Sequence, residues 1–321
     1  IQKVSKINPV QLKQDHIDVW YKLWNTGLTI SVSKATGAIN GDKINATIYY
    51  VLSNVRSLSS EVNTTHAKKN EVTKQLENVE GCFGGYHHTF QALNLWGSLT
   101  SFSEISTIVQ FWLLTLEKRG CHKLISTGAD GVMQAMVLSF GGFRFSAHHL
   151  EFNIHPKFLH RDYFFRRIGY GSQTFINISV TLQENNKAIL GVTLDKSDKS
   201  YYACDGGCID DPVQLGNSIT YFPVKLTEPV TAILFITSDR RHMELIKHTL
   251  HVKEIAEAPA HEHHIIALHR HGHHLGGLPT LFWASVIFLI IIFHLFLCKL
   301  VYNEYYGKQD KYRNRYGKSY T

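Results

Sequence analysis

The sequence predicts an α+β protein: helices up to about residue 140, a run of short antiparallel strands closed by one more helix, and a single membrane-crossing helix near the C-terminus. Three observations predict it. Apolar residues recur at helical spacing in the first part, alternate along the chain after Gly141-Gly142, and run without a formal charge from Thr280 to Cys298.

Taken in order, residues 11–25 read as an amphipathic helix with Ile17, Trp20, Leu23 and Trp24 on one face, and residues 44–52 as a second apolar helix. Residues 57–80 are polar and charged with little periodicity, so a solvent-exposed loop is expected there. Residues 101–119 give the clearest helix. Ser101 and Glu104 make a capping box, Phe102, Ile105, Val109, Trp112, Leu113 and Leu116 a stripe, and Gly120 a stop. A short apolar helix follows over 131–138. The period then changes: Phe143 and Phe145 alternate, as do Leu150, Phe152 and Ile154. Further strands are expected at 174–182, 188–194, 219–226 and 231–238, which together suggest a small antiparallel sandwich. Ser238-Asp239 caps a last helix, 240–257, with Met243, Ile246, Leu250 and Ile255 on one face. The domain reading is 1–140 helical, 141–258 sheet with its helix, 259–277 a histidine-rich linker, 278–301 transmembrane and 302–321 a basic tail.

At 1.5 Å per residue, about 20 uncharged residues cross a hydrocarbon core of ~30 Å. Trp283 sits near one end of the apolar run and Tyr302, Tyr305 and Tyr306 at the other, as an aromatic belt does. Of the net charge of +7, the stretch from Lys299 onward carries six Lys or Arg against two Asp or Glu, so +4 of it follows the span. The remainder is an ordinary surface charge and argues against a nucleic-acid partner. The positive-inside rule places the C-terminus in the cytoplasm and everything before the span in the lumen or outside the cell. Three sequons, at Asn45, Asn63 and Asn177, lie on that side. So do Cys82, Cys121, Cys204 and Cys208, an even number suited to two disulfides in an oxidising compartment. Three pairings are open. The tight CDGGC loop favours Cys204–Cys208, leaving Cys82–Cys121, while a zinc site is the weaker reading of that spacing.

The string GADGVMQAMVLSFGGFRFSAHHLEFN, the CxxxC loop and HLFLCKLVYNEYYG resemble an uncharacterised animal single-pass type I membrane protein family of the KIAA series, over about residues 15–306. That resemblance implies a further N-terminal half and supplies no activity. A more distant likeness concerns the fold. HIDVWYKLWNTG and IYYVLS look like the start of the helical barrel of maltose- and trehalose-phosphorylase-type glycoside hydrolases, and GADGVMQAMVLSFGG looks like its exit into a C-terminal sandwich. The implied architecture is a degenerate (α/α) barrel remnant followed by a small sandwich. Only about 80 residues separate start and exit. The stretch that carries the family's general acid is missing. Residues 85–96 resemble its substrate motif with Gln91 and Asn94 where carboxylates would stand. These departures favour a noncatalytic module that needs no cofactor, an accessory or scaffolding subunit of a membrane complex handling glycoproteins or lipids. The alternative is a carbohydrate-active enzyme whose catalytic carboxylates lie in the implied N-terminal half.

Other candidate residues are histidines. His261, His263, His264, His269, His271, His273 and His274 crowd the segment before the span. They read as a polar linker, as groups that charge together near pH 6, or as metal ligands. His87-His88 reads as a packed or substrate-facing pair. His294 lies inside the span, where an ionisable group marks a partner-helix contact, a backbone bond or a proton relay. Expected partners are the bilayer, membrane proteins reached through the span and the ectodomain, and a glycan or lipid.

Overall fold

A computed structural model describes residues 8–77, 79–146, 148–273 and 280–316, the last stretch with side chains to residue 306. The fold is mixed α+β with antiparallel sheets and one apolar C-terminal helix. The described residues up to His273 make one compact unit, and the C-terminal helix makes another.

The chain opens with α1 (Pro9–Trp24), whose first turn is closed by the Asn8 side chain accepting from Val10 N–H, and with Leu23 buried. Strand β1 (Gly27–Ile30) follows, then α2 (Gly41–Ser53), which buries Ile44, Ile48, Val51 and Leu52 at helical spacing. Where a loop was expected stands α3 (His66–Glu77). Its sequence, HAKKNEVTKQLE, is rich in good helix formers but buries only Val72, so composition carried the helix while periodicity hid it.

Helix α4 (Phe102–Lys118) has both halves of the Ser101/Glu104 capping box. It turns Ile108, Val109, Trp112 and Leu116 inward and leaves Phe102, expected on the stripe, 88% exposed. Trp112 donates to Leu95 O at 2.9 Å and Trp96 to Thr89 O at 2.8 Å, so both indoles are buried with their N–H satisfied. The segment likened to a substrate motif is therefore core at Thr89, Leu95 and Trp96, with Gln91 and Asn94 on the surface.

Short α5 (His122–Ser126) turns tightly into α6 (Ala129–Gly141), in which almost every residue is buried. Gly142, at φ 60°, supplies the left-handed cap. Helix α6 is the hub of the unit: α2, α4, α5, β1 and the sheets below all pack on it.

The strands are β2 (Phe143–Ser146), β3 (His149–Phe152), β4 (Tyr163–Tyr170), β5 (Thr174–Leu182), β6 (Ala188–Lys196), β7 (Tyr202–Asp205), β8 (Val213–Gln214), β9 (Thr220–Pro223), β10 (Lys225–Glu228) and β11 (Leu234–Thr237). One antiparallel sheet runs β1-β4-β5-β6-β9 and another β2-β3-β11-β7-β8. Phe143 and Phe152 of the second meet Phe165 of the first at ring-centroid distances of 4.9 and 5.8 Å. Because β1 pairs with β4 (Leu28 opposite Phe165), the N-terminal part supplies an edge strand and is not purely helical.

Helix α7 (Arg240–Thr249) covers the outer face of β11 and β7 with Met243 and Ile246, against Phe235 and the Cys204–Cys208 disulfide. It ends before His251, at φ 44°, and residues expected to prolong it form β12 (Glu254–Glu257), paired with β10. The second disulfide, Cys82–Cys121, ties the turn after α3 to the short link between α4 and α5.

The segment expected as a loose linker contains a docked helix, α8 (His263–His271), capped by Gly272 at φ 82°. Ile266 and Ala267 are buried, Lys34 N–H donates to His269 O at 2.9 Å, and His261 N–H donates to Asn186 O at 3.0 Å. Its IIAL run gives the helix an apolar face that the density of histidines obscured. Helix α9 (Thr280–Tyr316) is longer than the expected span and runs into the basic tail. Its residues 280–306 are long and apolar enough to cross a membrane, with mean hydropathy 2.7 over their most apolar 18-residue window.

Candidate functional site

The docking of α8 builds a histidine-lined cavity. Its floor begins with Arg161, which lies between Leu159 and Tyr163 on the approach to β4 and is only 6% exposed. Arg161 donates to Ile39 O at 2.9 Å, to Asn40 Oδ1 at 2.8 Å and to Ser31 O. It thereby staples the loop between β1 and α2 to the sheet. Asn40 locks the same loop by bonding Ser33 in both directions, at 2.8 Å each. Every acceptor around the guanidinium is neutral, and its Nε has no partner. No ion pair to Arg161 occurs among the described residues.

On that loop Ser33 Oγ lies 2.7 Å from His269 Nδ1, and the His269 ring stacks on His160 at 4.2 Å. His160 in turn donates from Nδ1 to Lys157 O at 3.3 Å and has His261 6.1 Å away, edge-on. His88 completes the set. It is 6% exposed, packs edge-on against Phe158 at 4.7 Å, and neither ring nitrogen has a hydrogen-bond partner. His88, His160, Arg161 and His269 line one cavity of about 210 Å³ with Phe90 and Phe158, and no Asp or Glu among the described residues lines it.

The electrostatics follow from burial beside a cation. Burial pushes His88 down to about 4, with His160 and His87 adding to the effect. Burial also pushes His160 to about 4, reinforced by His269, His261 and Arg161 and opposed by the bond to the Lys157 carbonyl. His269 is lowered by burial and then by Arg161. His261 is lowered by burial, against a bond to the Leu159 carbonyl. Desolvation lowers Arg161 and raises Tyr163 to about 12. At neutral pH the cavity thus holds one buried cation and a set of uncharged imidazoles.

The expected histidines divide. His261 and His269 enter this cluster, and His263 lies 3.2 Å from Asn186 Nδ2 at its edge. His264 pairs with Glu262 at 2.9 Å, and His271 and His273 are exposed with rings 5.9 Å apart. His274 lies outside the described residues. Among the described residues no three His, Cys, Asp or Glu side chains form a metal-holding group. The pair His87-His88 splits, His87 facing solvent and His88 the core. Sequence reading missed His160 and Arg161. The available signal was a His-Arg-Asp run set between Leu159 and the aromatic run Tyr163-Phe164-Phe165.

A second cluster sits across β3. Glu151 Oε1 meets His149 Nε2 at 2.9 Å, and His149 Nδ1 meets His242 Nε2 at 2.9 Å. Burial works to raise Glu151, but bonds from His149 and Asn153 hold it below its ordinary value. This relay ties α7 to the sheet. Of the sequons, Asn63 is exposed in the turn before α3. Asn45 is exposed on α2, with the Thr47 hydroxyl buried and donating to Lys43 O at 2.8 Å. Asn177 is half-buried in β5 and accepts from Arg167 N–H at 2.8 Å, closing a bulge in β4. In the C-terminal helix, His294 donates to Ile290 O, one turn back, at 2.8 Å, and Cys298 is unpaired.

The comparisons assign a family. The family model described as an uncharacterized conserved protein, DUF2152, matches residues 2–318. The chain belongs to the DUF2152 family. It is similar to the "Uncharacterized protein KIAA2013 homolog" of Xenopus tropicalis, 40% identical over 305 residues, covering 94% of this chain and 48% of the relative. It is also similar to the protein of that description in Xenopus laevis, at 39% identity, covering 94% of this chain and 49% of the relative. The DUF2152 chain described here therefore spans about half the length of the curated relatives it matches. No solved structure matches it.

Proposed function

We propose that this DUF2152 chain is the membrane-proximal part of a single-pass type I protein and acts as a noncatalytic accessory or scaffolding subunit of a membrane complex. One observation carries the reading: a folded unit whose last helix is docked is followed within a few residues by a helix suited to lipid along residues 280–306. The folded part lies in the lumen of the secretory pathway or outside the cell, with two disulfides to suit. The span docks on partner helices through His294 and its neighbours. Helices α1 to α6 are read as the remnant of a sugar-enzyme barrel and the two five-stranded sheets as its sandwich. The complex handles glycoproteins or lipids.

The carboxylate chemistry supports a noncatalytic reading. A glycosidase acid needs a raised pKa and access to substrate. Asp205 is raised, by burial, but it is 5% exposed, held by Lys225 Nζ at 2.7 Å, and lines neither the cleft below α1 nor the cavity beneath α8. Asp130, in the cleft below α1, accepts from Ser59 at 2.5 Å. Purification of the full-length protein in mild detergent is expected to recover a stoichiometric membrane partner. Glycoside turnover abolished by changing one carboxylate would overturn the noncatalytic reading.

Orientation has its own test. Asn63 is expected to carry a glycan, and Asn63→Gln to remove one endoglycosidase-sensitive step in gel mobility. Asn177→Gln is expected to leave mobility unchanged, because that side chain is engaged within a sheet. A protein from cells whose mobility is indifferent to endoglycosidase and to Asn63→Gln would count against the lumenal placement.

A further inference from the structure

We propose that the cavity beneath α8 is a binding site for a small oxyanion, a carboxylate or a phosphate-class group, held by Arg161 together with His160 and His269. The inference stands apart from the noncatalytic reading, since it rests only on how the cavity is built.

The first argument is charge. A buried guanidinium is costly unless paired, and Arg is rarely fully buried without an anion. Arg161 has only neutral acceptors, an unfilled Nε donor, and no carboxylate partner among the described residues. Its charge is therefore desolvated but not neutralised, beside a cavity it lines. The second argument is the lining. Three imidazoles and an arginine face one space with no acidic group among the described lining residues, and the charged or titratable neighbours include His87, Lys157, His261, the buried phenol of Tyr163, Lys34 and Asp162, whose Oδ1 accepts from Leu182 N–H. A protonated imidazole offers two donors and a positive charge, so the same groups that resist protonation beside Arg161 alone become ligands once an anion is present. The third is size. About 210 Å³ is room for a handful of waters at ~30 Å³ each, or for one small anion with its aromatic surroundings, and is below the usual range for larger ligands. His88, buried with both ring nitrogens unpaired, shows that the polar groups of this region are not satisfied by protein alone.

Binding should take up protons. An anion stabilises the charged imidazoles, so affinity rises as pH falls, by about tenfold for each proton acquired over a window of a pH unit or more.

The test is equilibrium dialysis and calorimetry on the full chain in detergent, with sulfate as the probe because its charge is constant over about pH 5.5 to 7.2. Inorganic phosphate and acetate form parallel arms, with chloride at matched ionic strength as the reference. One saturable site is expected, about tenfold tighter at the lower pH. The better of sulfate and acetate tells a phosphate-class from a carboxylate ligand. Arg161→Gln should abolish binding. Since that change also cuts loop contacts, His160→Phe provides a second variant that keeps the ring stacked on His269; it should flatten the pH dependence while the chain stays folded. No saturable binding of any of the three anions up to about 10 mM at either pH would overturn the proposal. So would binding that both variants leave unchanged.

Discussion

Gly131→Ala is expected to destabilise the folded unit by about 3 kcal/mol or more, the scale of forced overpacking in a well-filled core. A Cβ built at Gly131 meets Leu124 O and Thr127 Oγ1 at 2.0 Å, and these belong to the tight turn that joins α5 to α6. Backbone oxygen does not yield as a side chain does, so α5 and α6 must separate. Helix α6 has no solvent face to shift toward, because Val132, Met133, Ala135, Met136 and Val137 around it are all buried. The melting midpoint should fall by about 10 °C, at 2–4 °C per kcal/mol for a unit of this size. Gly41→Ala is the control: nothing lies within 4 Å of its Cβ, at the first residue of α2, and the change should be neutral or slightly stabilising. Equal melting curves for the two variants would remove α6 from its place as the hub.

That hub was legible in outline. The apolar run before Gly141-Gly142 announced a buried helix and its stop, because glycine at a left-handed cap is a local signal. The Ser101/Glu104 box fixed the start of α4 for the same reason, and the clean alternation of β5 gave its bounds at Thr174 and Leu182. Elements held by tertiary contact were not legible. Strand β4 was missed because a bulge at Arg166-Arg167 breaks its alternation, with Arg167 at φ 53°. Strand β1 is four residues whose partner lies more than 130 positions away. Helix α8 has too many polar residues to look buried, and its docking depends on Ser33, Lys34 and Asn186, which no local pattern connects to it.

The candidate site was legible only in its histidines. Their density before the span was plain, but which of them mattered depended on two residues brought from elsewhere, His160 and Arg161. Local sequence carries no trace of a stacking partner about a hundred residues distant. The inference from density to pH response is sharpened by the structure into a claim about particular rings.

Acidification from about pH 7.2 to 5.5 is expected to release α8 from the folded unit when no oxyanion is bound. The sign follows from the shifts. His160 titrates near 4 in the docked state, and His261 and His269 are lowered too, whereas an undocked imidazole titrates near 6.5. The undocked state therefore takes up protons that the docked state refuses. Docking is at full strength above about 6.5 and weakens as pH falls from there toward 4. At about pH 5.5 the strongly shifted His160 costs on the order of 1 kcal/mol and the lowered His269 adds to it, so the docked-to-open ratio shifts by roughly tenfold. Charging His160 and His269 places two cations within a 4.2 Å ring stack beside Arg161, with Lys157 and Lys34 as further cationic neighbours, the Asp162 carboxylate turned to Leu182 N–H, and no carboxylate among the described lining residues to offset them. Hydrogen exchange at Lys34, corrected for the intrinsic effect of pH, reads the opening directly, since this amide bonds to His269 O of α8. Protection should drop at the lower pH, recover when sulfate is added, and stay high in the doubly substituted His160→Phe, His269→Phe protein. Protection that is the same at both pH values would sink the idea of an acid-sensitive strap. Loss of protection that sulfate fails to restore would keep the strap and remove its anion.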